Sequence, residues 1–387
     1  MSHTPTIVTA HADAPRPEPV PLVDLGLQHR QIAQEVSMAI EAVLDKTAFV
    51  LGPEVTAFEH EYADFSEVAN CVGVGNGTDA IELILRGAGI GPGDDVIIPA
   101  NTFVATAEAV LRAGAKLVLA DCGDDFLLDP AAVASALTPQ TRAVVAVDLY
   151  GQVPDMRAIQ EAAGSDVLLF EDAAQSQGAT HFGQRAGSFG IGAATSFYPG
   201  KNLGAYGDAG ASMTNDDQVA DRIRALRNHG GVKRYEHTYV GTNSRLDSVQ
   251  AAVLRIKLRA LPAWNDQRRQ AADRYQALLE DLEQVVLPET ADGNEHVWHL
   301  YVVRVPDRDR VLRELQAAGI GAGIHYPAPI HHLPAFSDLS AETGRHPRAE
   351  RFAGEILSLP IYPGITAEQQ ERVAASLRAS IKARTSL

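Results

Sequence analysis

Cysteine is nearly missing from this 387-residue chain: only Cys71 and Cys122 occur, each inside an apolar stretch. Two such residues exclude a disulfide framework and fit buried thiols in a reducing compartment. No segment reaches the roughly 20 consecutive apolar residues of a membrane span. The opening MSHTPTIVTAHADAPRPEPV lacks both the basic start and the apolar run of a secretory signal. The expectation is a cytoplasmic protein that does not engage a membrane. Basic residues are in deficit, 33 Lys+Arg against 49 Asp+Glu, for a net charge of −16. The chain as a whole is repelled by nucleic acid and by anionic surfaces, so an anionic small ligand requires a local positive seat.

What is present suits a compact enzyme. With 45% hydrophobic residues, a chain of this length exceeds one ordinary core and fits a large domain plus a smaller one. Residues 1–20 read as a flexible tail, with nothing to bury, and the fold should begin near Pro21. From residue 69 onward short apolar runs (NCVGVG, DDVIIPA, KLVLADC, RAVVAVDLYG, DVLLFED) alternate with helical stretches. The runs are nearly continuous, which marks strands covered on both faces of a mostly parallel sheet. That is a doubly wound α/β domain, with ligands expected at strand C-termini. After Met213 long helices take over, and Pro262 should break or bend the second of them. A strand VWHLYVVRV and the helices DRVLRELQAAGI and ERFAGEILSLP predict a smaller α+β domain over 261–387, following a large one over 21–260.

Three segments carry chemistry. In VGVGNGTDAIELIL a strand runs through Gly75-Asn76-Gly77-Thr78 straight into a helix, so free N–H groups and the positive helix end face the turn. This is a phosphate seat, unless Thr78 merely caps the helix. A dinucleotide fingerprint is the rival, but its third glycine would fall on Thr78. In DVLLFEDAAQSQGA a strand delivers Glu171, Asp172 and Gln175 to its C-terminal end. Asp172 is the better candidate to pair with a protonated ring nitrogen, and a helix cap is the competing role. In ATSFYPGKNLGAYGDAGASM, Lys201 has no charged residue within six positions on either side. Those surroundings suit a lysine that must lose its proton to attack a carbonyl, with Ser196 adding a hydroxyl for an anion and Tyr198 within reach.

A phosphate seat, an acid for a pyridinium nitrogen and a sheltered lysine are the three fixed points pyridoxal phosphate requires. The blocks VGNGTDAIEL, PANTFVAT, EDAAQSQGA, SFYPGKNLGAYGDAG and GTNSRLDSVQAAVL resemble the signatures of the DegT/DnrJ/EryC1/StrS sugar aminotransferases, over nearly the whole chain from Pro21. The resemblance implies an aspartate-aminotransferase type of fold (fold type I of pyridoxal-phosphate enzymes) and a homodimer with shared sites. It implies that Lys201 holds pyridoxal 5'-phosphate covalently, Asp172 pairs with the ring nitrogen and Gln175 contacts the ring hydroxyl. It also implies that Gly77, Thr78 and Ser196 hold the phosphate, Phe103 lies near the ring face, and Asn243 reaches the phosphate of the neighbouring subunit. In members that aminate a sugar at C3, a tyrosine three residues before the lysine and a His-Tyr pair line the sugar pocket; here these are Tyr198, His325 and Tyr326. The implied reaction moves an amino group, from glutamate, to a dTDP-linked 3-keto-6-deoxyhexose. Amination at C4 of a 4-keto sugar is the alternative. Gln177 departs from the His of many members.

The histidines His325, His331 and His332 raise a metal site, set aside because prolines fix an extended path and no Asp, Glu or Cys lies in the run. Asp121, Asp124 and Asp125 read as a solvated loop. Lys233 and Arg234 are surface charges by default and candidates for a substrate diphosphate. Other classes are a cofactor-bearing regulator without activity, a dehydratase (which would replace the lysine by histidine) and an NAD-dependent oxidoreductase.

Overall fold

The structure, a computed structural model, describes residues 18–382 apart from the side chains at positions 340 and 342. The expected tail therefore lies outside the described residues up to residue 17. Its end does not: the Val20 N–H donates to the Gly319 carbonyl at 2.9 Å, pairing this segment with the C-terminal region.

Seven strands form the central sheet: β1 (Asn70–Val74), β2 (Asp95–Pro99), β3 (Lys116–Ala120), β4 (Thr141–Val147), β5 (Leu168–Asp172), β6 (Gly192–Ser196) and β7 (Gly210–Thr214). Their order is β1-β7-β6-β5-β4-β2-β3. Pairings from β6 through β3 are parallel, and β7 runs antiparallel to both its neighbours. Helices cover both faces, which is why the strands read as unbroken apolar runs: Val96, Ile97 and Ile98 are all fully buried. Each such side chain contributes about 1.5–3 kcal/mol. Cys71 and Cys122 are buried free thiols, and burial raises both well above the usual thiol range. Among the described residues no helix is long and apolar enough to cross a membrane.

The second long helix after Met213 does not break: the helix Ser248–Leu279 runs through Pro262 without interruption. A mid-helix proline costs about 3 kcal/mol, and burial of Leu258, Leu261 and Trp264 around it outweighs that at about 1.5–3 kcal/mol each. The first half of this helix, through Leu261, packs in the cluster containing β7 residues Ala211 and Met213. The second half, Ala271 to Leu279, packs in a separate cluster with Tyr301, Leu357 and Leu377. We accordingly propose that the division between the two units falls near residue 260, inside this helix.

Two expectations in the C-terminal third need correction. The strand begins only at Tyr301 (Tyr301–Arg304), because Trp298 takes φ +46 and turns the chain before it. Likewise ERFAGEILSLP is helical only to Glu355; Ile356–Leu359 is a strand paired antiparallel with Tyr301–Arg304. All four residues of that strand are buried, and pairing with Tyr301–Arg304 outweighs the helix pattern there.

Candidate active site

Strand β5 ends at the centre of the sheet, and its last two residues point opposite ways. Glu171 turns into the sheet's back layer, accepting from the Gly187 and Phe189 N–H groups at 2.7 and 3.2 Å. Asp172 turns to the cavity side. Its Oδ2 accepts from the Thr106 hydroxyl at 2.8 Å and its Oδ1 from the Ala174 N–H at 3.2 Å. No helix follows Asp172, so it is not a helix cap. Burial raises its carboxyl, while the Thr106 hydrogen bond and the Lys201 charge pull it back down.

Lys201 lies in the turn after β6, its N–H bonded to the Tyr198 carbonyl at 2.8 Å. Burial lowers its amine to about 8, opposed by the Asp172 charge. At neutral pH a usable fraction is therefore unprotonated, the state in which an amine attacks a carbonyl.

The helix Gly77–Gly87 that follows the turn after β1 is capped by Asn76, whose side chain accepts from the Asp79 N–H at 2.9 Å. Thr78 is thus not the cap, and helix geometry leaves the Gly77 and Thr78 N–H groups without helical acceptors. Gly77 has to be glycine: a Cβ there would stand 2.5 Å from the Ser196 Cβ. The turn is braced by Ser244, which accepts from the Gly75 N–H at 3.0 Å and donates to Asp79 at 2.6 Å.

These groups converge on one cavity of about 690 Å³. Its walls bring together Gly77, Thr78, Phe103, Asp172, Gln175, Ser196, Tyr198, Lys201, His325 and Tyr326. Gln175 accepts from the Tyr150 N–H at 2.6 Å and donates to the Tyr326 hydroxyl at 3.2 Å. Its amide has one further hydrogen for a ligand. Phe103 and Tyr326 stand with ring centroids 5.0 Å apart. His325 bonds the Ser358 hydroxyl at 2.8 Å, and burial lowers it to about 4, so it is neutral at physiological pH.

Other candidates lie elsewhere. Gln177 is buried behind the wall, donating to Thr195 at 3.0 Å and to the Ser196 carbonyl at 2.8 Å; its departure from histidine braces the strand bearing Ser196. Asn243 is exposed and outside this cavity, as are Lys233 and Arg234 on a surface hairpin, where Lys233 lies 3.8 Å from Glu236. Asp121 is not part of a solvated loop. It is buried and accepts from the Arg348 and Ala349 N–H groups at 3.0 and 2.9 Å, capping the helix Pro347–Glu355. Asp124 is exposed and pairs with Arg351, and Asp125 closes a turn on the Leu127 N–H. His331 bonds Glu350 at 3.0 Å, tying its segment to that same helix.

Sequence reasoning missed Thr106, Ser244, His299 and Asp148. No local pattern marks them, since each acquires its role from a residue far along the chain. Asp148, fully buried, accepts from the Ser176 hydroxyl at 2.5 Å and faces Glu171. Burial raises both carboxyls, Asp148 well above the ordinary carboxylate range and Glu171 to about 7. A carboxyl raised by folding binds its proton more tightly in the native state. Its contribution to stability is therefore complete below the unfolded value and is lost as pH rises through the folded one. Denaturant titrations of the wild type should show stability declining between about pH 5 and pH 8. Asp148→Asn should flatten that decline; an equally steep decline in the variant would show that this pair is not its source.

The cavity fits pyridoxal phosphate on its own geometry: a glycine-tight helix start with free N–H groups, a buried carboxylate, and a lysine lowered to about 8 beside it. The family model for DegT/DnrJ/EryC1/StrS aminotransferases matches residues 30–378. The chain is 47% identical over 362 residues to the "erythromycin biosynthesis sensory transduction protein EryC1" of Saccharopolyspora erythraea, covering 93% of this chain and 99% of that protein. It is 45% identical over 373 residues to the dTDP-3-amino-3,4,6-trideoxy-alpha-D-glucose transaminase of Streptomyces venezuelae, covering 96% and 98%. The crystal structure of S. venezuelae DesV in complex with a ketimine intermediate superposes with a TM-score of 0.92 at 45% identity, over 94% of this chain and 98% of that one. The chain belongs to the DegT/DnrJ/EryC1/StrS aminotransferase family, and its cofactor is pyridoxal phosphate.

Proposed function

We propose that this enzyme transfers an amino group from glutamate to C3 of a dTDP-linked 3-keto-6-deoxyhexose, producing a 3-amino-3,6-dideoxy sugar nucleotide. The observation that carries this reading is the sharing of one cavity by Lys201, Asp172 and the trio Tyr198, His325 and Tyr326. The name of the S. venezuelae transaminase, whose sugar bears its amine at C3, supports the position. Bound here, pyridoxal phosphate supplies an electron sink for the carbanion that amine transfer creates.

In this reading the chain's own residues divide the work. Gly77 and Thr78 would offer N–H groups and Ser196 a hydroxyl to the phosphate, at the positive end of the helix Gly77–Gly87. Asp172 would supply a negative charge for the ring nitrogen, and Phe103 an apolar face for the ring. The second Gln175 amide hydrogen would be free for the ring hydroxyl. Lys201 Nζ carries the cofactor between turnovers and moves the proton during them. Tyr198, His325 and Tyr326 orient the sugar, where a displacement of about an ångström decides which carbon reacts. A cofactor-bearing regulator without activity would have no use for the trio Tyr198, His325 and Tyr326 beside Lys201.

Incubating the pure protein with glutamate and a panel of keto-sugar nucleotides, followed by mass spectrometry and NMR of the product, tests the reading. The panel should pair 3-keto with 4-keto sugars and 4-hydroxy with 4-deoxy ones. The expected product carries nitrogen on C3. Amination at C4, with no turnover of the 3-keto isomer, would overturn the position and leave the aminotransferase standing.

We also propose a homodimer in which Asn243 completes the partner's phosphate seat. Its loop adjoins an exposed apolar run, Phe49, Val50 and Leu51, which the Val50–Asp247 bridge holds against it. Mixing inactive Lys201→Ala chains with inactive Asn243→Ala chains should restore part of the activity, since one site of each hybrid carries neither defect. No recovery after demonstrated subunit exchange would contradict a shared site.

A further inference from the structure

His299 also lines the cavity, on the wall that carries His325. Its position follows from the turn at Trp298, which takes residues 297–300 out of the strand and frees the His299 side chain from alternation. The imidazole Nδ1 lies 3.2 Å from Asn202 Oδ1.

A chain of amides fixes which nitrogen of His299 bears hydrogen. Asn265 Nδ2 donates to the Gln177 backbone carbonyl at 2.9 Å, so Asn265 presents its oxygen to Asn202. Asn202 Nδ2 donates both to that oxygen and to the Val297 carbonyl, each at 3.0 Å. Backbone carbonyls only accept, so neither amide can be turned round. Asn202 and Asn265 are both almost fully buried, and no solvent relieves the constraint. Asn202 therefore shows His299 an oxygen, and Nδ1 must carry the proton. Burial and the nearby Lys201 charge keep the ring neutral. Nε2 is left as a bare acceptor on a cavity wall, with no hydrogen bond to Lys201.

An acceptor fixed in a poorly solvated cavity favours a ligand that brings a donor and repels one that brings an oxygen lone pair. Keto oxygens, phosphates and carboxylates are all disfavoured there. Hydroxyls are favoured, and a sugar is rich in them. We propose that His299 Nε2 accepts a hydrogen bond from a hydroxyl of the bound sugar, making His299 a specificity-determining substrate contact; this rests on the sugar-aminotransferase reading above.

The test uses the full-length holoenzyme and separates the two half-reactions. Glutamate alone is followed by cofactor absorbance, and the keto-sugar nucleotide most active in the panel is used for the second half, with its monodeoxy analogues. His299→Phe keeps the ring's shape without the acceptor, and His299→Gln keeps an acceptor oxygen. With the sugar, the Phe variant should lose roughly tenfold or more in kcat/KM, as expected when a buried polar partner is left unmet. The Gln variant should recover part of that loss, and the glutamate half-reaction should change less than about twofold. One monodeoxy analogue should lose a comparable factor with the wild type and nothing further with the Phe variant. An equal fall in both half-reactions would assign His299 to Lys201 instead. An unchanged sugar half-reaction, or a Phe-variant loss of the same size with every analogue, would also refute the contact. If the wild type runs the glutamate half-reaction but aminates no keto sugar, the sugar reading falls and takes this inference with it; the other failures remove His299 alone.

Discussion

Lys201→Ala should leave a folded protein whose aminotransferase turnover is reduced about 10⁴-fold or more, the upper range for a positioned proton-transfer group, because covalent attachment is lost as well. The cavity wall holds one lysine, and its amine is lowered to about 8 by burial. A second buried lysine does not replace it. Lys257 is also lowered to about 8, but its Nζ donates to the Gly204 carbonyl at 2.5 Å and stands over the Tyr206 ring. It is committed to holding the loop that follows Lys201. Truncating Lys201 removes a charge that burial disfavours, so thermal unfolding should be close to wild type. Steady-state rates and melting curves measured together check both halves. A variant retaining more than about a hundredth of wild-type turnover would remove Lys201 from the chemistry.

Asp172→Asn is expected to cost about 10²- to 10³-fold in turnover with the cofactor still bound, a loss of about 3–4 kcal/mol of transition-state stabilisation. The amide has the same shape and can still meet Thr106 and Ala174, yet it supplies no charge to a ring nitrogen. Stability separates this effect from misfolding. Because burial raises the Asp172 carboxyl, its native state holds a proton more tightly than the unfolded chain does. The charged form is thus a stability cost above its unfolded value, growing as pH rises through the folded one. The Asn variant should be no less stable than wild type at pH 8 while being far slower. Turnover within a few-fold of wild type would leave Asp172 as a turn-closing residue only.

Much of this was legible in the sequence, for reasons specific to each element. The five strands from Asn70 to Asp172 stood out because burial on both faces writes itself as continuous apolar runs. The Gly75–Thr78 turn and the isolated Lys201 stood out because backbone approach and desolvation each demand unusual neighbours. Pro262 left its helix unbroken, since the local cost was outweighed by packing from distant residues. The strand Ile356–Leu359 was hidden because its partner lies over fifty residues away, at Tyr301–Arg304. Asp121 looked solvated among acidic neighbours, although two N–H groups of a helix more than two hundred positions later hold it. Asp148 and His299 carry no local signal at all: one is defined by Glu171 across the sheet, the other by Asn202 and the backbone carbonyl of Val297.

The central claim is that Lys201 carries the cofactor. Borohydride reduction of the purified holoenzyme, followed by proteolysis and mass spectrometry, reads this directly. The pyridoxyl group should appear on the peptide SFYPGKNLGAYGDAGASM, at Lys201, and should be absent from the same treatment of Lys201→Ala. Recovery of the label on Lys257, or on any other lysine of the wild type, would contradict the assignment.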